Sequence, residues 1–100
     1  MKTVWTPLGL KSLNKTTNFI EELWNEDVAD NFLDRLDERI EQLKLNPEIG
    51  PTYEQTNYRK LFIHSLVTLF YELETNNISL VLVWANKQDP DELREELKRM

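Results

Sequence analysis

The spacing of apolar residues changes once along this 100-residue chain, at Asn46-Pro47, and this change constrains the fold more than any other feature. Before it, apolar residues recur every three or four positions from Val28 to Leu43, which is the spacing of an amphipathic helix. After it, three segments are rich in aromatic and β-branched residues, as strands are: 58–63, 66–74 and 77–86. A chain of this length supports one core, so we expect a single α+β domain over residues 1–100.

The first half is predicted to contain two helices. Thr6 followed by Pro7 is typical of a helix start, because threonine caps free N–H groups and proline is tolerated in the first turn. The second helix should end at Asn46, since the residue before a proline disfavours the helical conformation. With only residues 25–27 between them, the two helices should form an antiparallel hairpin. The apolar positions of the first helix are Leu10, Leu13, Ile20, Leu23 and Trp24.

The strand-rich half is predicted to form an antiparallel meander, because residues 64–65 and 75–77 are connections of hairpin length. Its strands are apolar on both faces, so both faces of the sheet need cover, and the two helices can cover only one. A short helix beginning near Pro90 either covers the other face or docks on another protein. With an opening strand at residues 4–6, the predicted order is β-αα-βββ-α, with the first strand and the helical hairpin packed on the meander sheet.

The chain is acidic, with 18 acidic and 12 basic residues and a net charge of −6. Residues 19–45 alone hold nine acidic and three basic residues, so this segment carries the whole excess. Proteins that bind nucleic acid through its phosphates normally present a basic face, so we do not expect direct nucleic-acid binding. The longest apolar run, residues 80–85, is far shorter than a membrane span, and no membrane association is expected.

The sequence predicts no metal site and no cofactor. It has no cysteine, which excludes disulfides, thiolate metal sites and thiol catalysis and fits a reducing cytoplasm. His64 is the single histidine and has no second histidine or cysteine to share a metal with. The carboxylates along the second helix, such as Asp34 and Asp37, are typical of a solvated helix face.

Several motifs stand out by their order and spacing: Val4-Trp5-Thr6 before the first helix, Leu45-Asn46-Pro47 with Gly50, Tyr58-Arg59-Lys60-Leu61, the strands 68–73 and 78–84, and Asn86-Lys87-Gln88-Asp89-Pro90. In this combination they resemble the RelE/ParE family of toxins from bacterial type II toxin–antitoxin systems. The resemblance covers nearly the whole chain. It implies a cytoplasmic toxin that a cognate antitoxin holds inactive.

The family has two branches, and the residues near the end of the chain bear on the choice between them. The resemblance implies that RelE-like members cut messenger RNA on the ribosome, whereas ParE-like members inhibit DNA gyrase. The candidates for RNA cleavage are Arg59, Lys60 and Lys87. However, no Tyr, His or Trp follows Asn86, and Lys87 stands where the family usually has an arginine. These departures favour a ParE-like toxin that binds a protein target without covalent chemistry of its own.

Two alternatives stay open at this stage: a RelE-like ribonuclease, and a non-toxic member that binds an antitoxin. The oligomeric state is open between a homodimer and a hetero-oligomer with the antitoxin. Arg59 also has a structural explanation as the partner of Glu72 or Glu74 across the sheet, and Trp84 has one as a core residue. The residues expected to contact a partner are Arg59, Trp84, Lys87, Leu93 and Leu97.

Overall fold

Residues 1–64 and 67–85 are the part of the chain that the computed structural model describes. They form an α+β fold in the predicted order: β1 (Lys2–Trp5), α1 (Pro7–Leu23), α2 (Glu26–Leu45), β2 (Tyr58–His64), β3 (Val67–Leu73) and β4 (Asn77–Ala85). The predicted C-terminal helix lies outside the described residues. Within the described residues, no helix has both the length and the apolar character needed to cross a membrane.

The four strands form one sheet in the order β1-β4-β3-β2. β2, β3 and β4 are antiparallel neighbours, which confirms the predicted meander. β1 joins the same sheet parallel to β4, with Thr3 opposite Ile78, so the sheet is mixed. Parallel neighbours need a long crossover connection, and the two helices and two strands between β1 and β4 provide it.

Both helices begin at a side-chain cap. The Thr6 hydroxyl accepts a hydrogen bond from the Gly9 N–H (2.9 Å), which confirms the predicted start of α1. The Asn25 carboxamide oxygen accepts one from the Val28 N–H (2.9 Å). Because Asn25 takes the capping role, α2 begins at Glu26, and the connection between the helices is shorter than the predicted residues 25–27.

The buried face of α1 is built from small and polar residues. Of its apolar positions, Leu13 and Ile20 contribute to the core, whereas Leu10, Leu23 and Trp24 are 43–49% exposed. The buried residues are Gly9, Ser12, Thr16 and Ile20.

This polar face of α1 has a physical reason in the edge of β4. β1 ends opposite Leu80, so beyond that point the edge of β4 that faces away from β3 has no strand beside it. The Ser12 hydroxyl accepts a hydrogen bond from the Val83 N–H (2.9 Å), and the Thr16 hydroxyl donates one to the Val83 carbonyl (3.4 Å). Close approach is also required, because a Cβ at Gly9 would collide with the Leu80 carbonyl oxygen. Helix side chains thus replace a neighbouring strand as hydrogen-bond partners.

The helices cover one face of the sheet, which we call the inner face. The predicted apolar stripe of α2 is confirmed, because Ala29, Phe32, Leu36, Ile40 and Leu43 are all buried. They form one cluster with inner-face residues of the sheet. Each fully buried Leu, Ile or Phe side chain contributes about 1.5–3 kcal/mol, so this cluster is the main source of stability.

The opposite, outer face of the sheet is also buried at its centre, as its apolar strands predict. Phe70, Leu82 and Trp84 form a second cluster there. Partly buried hydrophobic residues that pack against it are Leu8, Tyr53 and Tyr58. Residues from the start of α1 and from the connection before β2 therefore contribute to the cover of the outer face.

Candidate functional site

Arg59, which belongs to one of the motifs, lies on β2 directly opposite Tyr71 of β3 and shares the inner face with it. Its Nη1 atom donates hydrogen bonds to the carbonyl oxygens of Gly50 (2.8 Å) and Glu48 (3.4 Å). Both acceptors belong to the connection between α2 and β2. The guanidinium therefore holds this connection, which we call the 46–53 loop, against the sheet.

The suggested pairing of Arg59 with Glu72 or Glu74 is wrong, although a structural role for this arginine is correct. Glu72 follows Tyr71, the residue opposite Arg59. Because successive side chains of a strand point to opposite faces, Glu72 lies on the outer face of the sheet. Arg59 donates hydrogen bonds to backbone carbonyl oxygens instead, and both bonds come from one nitrogen of its guanidinium.

Tyr71 holds the same loop from inside the core. Its hydroxyl accepts a hydrogen bond from the Gly50 N–H and donates one to the Pro47 carbonyl, both at 2.9 Å. Burial raises the pKa of Tyr71 above its usual value, although the hydrogen bond from Gly50 and the nearby charge of Arg59 oppose the shift. A Cβ at Gly50 would collide with the Lys60 carbonyl oxygen and lie 2.8 Å from the Tyr71 hydroxyl. Only glycine fits this position without movement of its neighbours.

Beyond Gly50, the loop runs along the free edge of β2. The Lys60 N–H donates to the Pro51 carbonyl (3.0 Å), and the Tyr53 N–H donates to the Tyr58 carbonyl (2.8 Å). This path brings Tyr53 onto the outer face, where its ring meets Phe70 edge to face with centroids 5.1 Å apart. The contacts of Arg59 and Tyr71 on the inner face thus position an aromatic side chain on the outer face.

Lys60 lies on the outer face between two aromatic rings. Its Nζ atom is 6.0 Å from the centroid of Tyr53 and 5.9 Å from that of Phe62, within reach of cation–π attraction. Phe62 is 57% exposed, which is unusual for a large apolar side chain in a sheet. We call these three residues the Lys60 patch.

The remaining edge of β2 is capped by two arginines of α2. Arg35 Nε donates to the Ile63 carbonyl (3.2 Å), and Arg39 Nε donates to the Phe62 carbonyl (3.0 Å). The sequence shows this arginine pair four positions apart, an unfavourable spacing for like charges on an isolated helix. The edge carbonyls explain the spacing, since consecutive turns of α2 bring one arginine to each.

The comparison with known protein families decides the identity of the fold. Residues 3–90 match the family described as ParE toxin of type II toxin–antitoxin system, parDE. The chain belongs to the ParE toxin family. Comparison with curated protein sequences gives no match.

Solved structures of other toxins share this ParE fold. A chain of the chromosomal ParDE toxin–antitoxin system from P. aeruginosa superposes with a TM-score of 0.72 and 16% identity, over 85% of this chain and 95% of that one. The YoeB/ParE toxin from Agrobacterium tumefaciens gives a TM-score of 0.61 and 15% identity, over 85% of this chain and 98% of that one. At such low identity these matches establish a common fold.

In this ParE-family chain, the two candidates for RNA cleavage that lie in the described residues, Arg59 and Lys60, do not form one site. Arg59 lies on the inner face and holds the 46–53 loop, whereas Lys60 lies on the outer face. Cleavage of RNA requires cations that converge on one phosphate, and these two side chains point away from each other. Lys87, the third candidate, lies outside the described residues.

The other predicted partner contacts have different positions. Trp84 is only 6% exposed and packs with Phe70 and Leu82 in the outer-face cluster, so its structural explanation as a core residue is correct. Its role in partner binding stays a prediction. Leu93 and Leu97 lie outside the described residues.

His64 is the last residue of β2. Among residues 1–64 and 67–85, no group of three or more His, Cys, Asp or Glu side chains could hold a metal ion.

Proposed function

We propose that this chain is a growth-inhibiting toxin that acts in the cytoplasm by binding a protein target, DNA gyrase by family resemblance, and that a cognate antitoxin neutralises it. The family match supports a toxin with an antitoxin partner. The observation that carries the choice of a protein target is the engagement of Arg59 with the 46–53 loop, on the face opposite Lys60. Among the described residues, Arg59 and Lys60 of the sheet motif therefore do not converge as a pair of cations for RNA.

The Lys60 patch is the surface that we assign to the target. Protein interfaces are anchored by aromatic side chains that leave water on binding, and exposed Phe62 is such a residue. The packing of Tyr53 against Phe70 holds the patch in place, so little side-chain freedom is lost on binding. Lys60 adds a positive charge that selects an acidic partner surface.

The test is induction of the chain alone in a bacterial host, with and without the small open reading frame adjacent to its gene. We expect growth to stop, co-expression of the neighbour to restore it, and the purified chain to inhibit supercoiling by gyrase. Phe62→Ser and Lys60→Met should each weaken inhibition. Lys15→Met is the matched control, because Lys15 is an exposed lysine on α1, away from the patch.

Each other outcome overturns the proposal. Cleaved transcripts that disappear in Lys60→Met would identify a RelE-like ribonuclease. Normal growth on induction, together with binding to the product of the neighbouring reading frame, would identify a non-toxic antitoxin-binding member. Growth arrest with intact transcripts and uninhibited gyrase would exclude gyrase as the target.

A further inference from the structure

The closed end of the helical hairpin carries a pocket of about 570 Å³ that the proposed function does not use. It lies between the end of α1, the first half of α2 and the nearby ends of β2 and β3. Most of its lining is apolar: Ile20, Trp24, Val28, Phe32, Ile63 and Val67. We call it the hairpin pocket. A pocket with this lining accepts an apolar side chain of another molecule.

Exposed carboxylates flank the hairpin pocket. Glu21 lies three positions before Trp24, Asp27 immediately precedes Val28, and Asp34 lies three positions after Asn31, another lining residue. Residues three positions apart are neighbours on a helix surface, so Glu21 and Asp34 border the pocket. Throughout the described part of the chain, none of the three carboxylates has an ion-pair partner.

The basic residues of the same hairpin are already engaged. Arg35 and Arg39 donate to carbonyl oxygens of β2, and Lys44 pairs with Glu41 at 2.9 Å. Arg35 keeps its positive charge and lines the pocket, but nine acidic residues against three basic ones in 19–45 leave a net negative charge, and therefore a negative potential, around it.

This negative potential is present although it opposes helix stability. Glu21 and Glu22 lie in the last turn of α1, which has no basic residue, and the end of a helix dipole there is itself negative. Asp34 and Glu38 are like charges four positions apart on α2. Residues that lower the stability of their own helix in this way are expected where a surface serves a function.

We infer that the hairpin pocket receives a cationic amphipathic segment of a protein partner, which places an apolar side chain in the pocket and Lys or Arg side chains against Glu21, Asp27 and Asp34. Under the proposed function, on which this inference rests, that partner is the antitoxin. Trp24 is 43% exposed at the pocket and offers its ring to one of the incoming cations. Charge complementarity decides the class of partner, since an acidic segment would be repelled.

The test measures the affinity of the chain for the protein encoded by the adjacent reading frame, by calorimetry at low and high salt. Asp27→Asn combined with Asp34→Asn should weaken binding about tenfold at low salt and reduce its salt dependence. Asp30→Asn combined with Asp37→Asn is the matched control. It removes the same charge from the same helix, but from the side facing away from the pocket, and should change affinity less than twofold. Trp24→Ala should also weaken binding, with the fold of each variant checked by circular dichroism.

The outcomes separate this inference from the proposed function. If the partner binds but both aspartate pairs weaken it equally, or neither does, the hairpin pocket is not its site and the proposed function stands. If the adjacent protein does not bind the unmodified chain, the antitoxin relationship itself fails. Stronger binding after removal of Asp27 and Asp34 charges would show that the segment is acidic and would overturn the inference.

Discussion

The edge of β2 and the outer side of the helical hairpin are two charged regions of the described residues, and their charged side chains have different partners. At the β2 edge, Arg35, Arg39 and Arg59 all donate hydrogen bonds to backbone carbonyl oxygens. On the hairpin, Glu21, Asp27 and other carboxylates have no ion-pair partner anywhere in residues 1–64 and 67–85.

The difference shows that the number of charges does not indicate how many are available to a partner. An edge strand exposes backbone groups that can pair with another chain, and arginines together with the 46–53 loop occupy those of β2. Arg35, Arg39 and Arg59 are therefore part of the fold. Glu21, Asp27 and Asp34 have no ion-pair partner within the described residues, and nine acidic residues against three basic ones in 19–45 give the hairpin a net negative charge.

The largest effect should come from Gly50→Ala at the β2 edge. The new Cβ would collide with the Lys60 carbonyl and crowd the Tyr71 hydroxyl, so the 46–53 loop must move. We expect a loss of about 3 kcal/mol in the free energy of unfolding, measured by urea denaturation. Gln55→Ala, at an exposed position in the connection before β2, is the control and should change it by less than about 0.5 kcal/mol. Equal stability of the two variants would show that the loop is not held tightly.

Tyr71→Phe tests the hydrogen bonds of the same region. It leaves the Gly50 N–H and the Pro47 carbonyl without their partner and should cost about 2 kcal/mol near neutral pH. The pKa of Tyr71 is raised in the folded protein, so its contribution is complete below the unfolded value of about 10 and is lost as pH rises through the folded value.

The predicted loss of stability at alkaline pH can be tested separately. Stability of the unmodified chain should fall above about pH 10, and Tyr71→Phe should lessen that fall. Tyr58, whose pKa is raised by burial and by the charge of Glu72, should account for part of the remainder. Identical pH profiles for the unmodified chain and Tyr71→Phe, followed by tryptophan fluorescence, would contradict the assignment.

A comparison of Arg59→Met with Lys60→Met separates a cation that serves the fold from one that serves the surface. Loss of the two carbonyl contacts of Arg59 should destabilise the chain by about 1.5 kcal/mol. The Lys60 ammonium lies near the Tyr53 and Phe62 rings in cation–π contacts, and its loss should cost about 0.5 kcal/mol. The reverse order in thermal unfolding would mean that Arg59, rather than Lys60, is the available cation.

The smallest change in the free energy of unfolding is expected for a substitution on the hairpin, and this substitution should stabilise the chain. Asp34→Asn removes repulsion from Glu38 and should stabilise the chain by about 0.3 kcal/mol at low salt. The gain should vanish at high salt, where exposed charges are screened. A loss of stability in low-salt urea denaturation would show that Asp34 has a partner within the fold.

Features that depend on neighbouring residues were predictable from the sequence. The cap at Thr6, the apolar stripe of α2 and the three strands of the second half are all confirmed. The parallel place of β1 beside β4 was not predictable, because no local pattern states which strand a short edge strand will join. The polar buried face of α1 was not predictable for the same reason. Ser12 and Thr16 are buried there because their hydroxyls form hydrogen bonds with the backbone of Val83, which is distant in the sequence.

The candidate site also has features that the sequence predicted and features that it could not predict. The motif containing Arg59 and Lys60 was visible in the sequence, but the carbonyl partners of Arg59 were not, because they lie nine and eleven positions away in an irregular loop. The Lys60 patch and the hairpin pocket each combine residues from separate elements. Such combinations follow from tertiary packing alone.

The sequence by itself determined the kind and order of the described elements and the segment that holds the acidic excess, because helix and strand periods, caps and charges are local properties. The tertiary structure decided which charges stay available for a partner. That outcome depends on which backbone groups of distant elements come within hydrogen-bonding distance. Arg59 donates to carbonyl oxygens there, whereas Glu21, Asp27 and Asp34 of the hairpin have no ion-pair partner within the described residues.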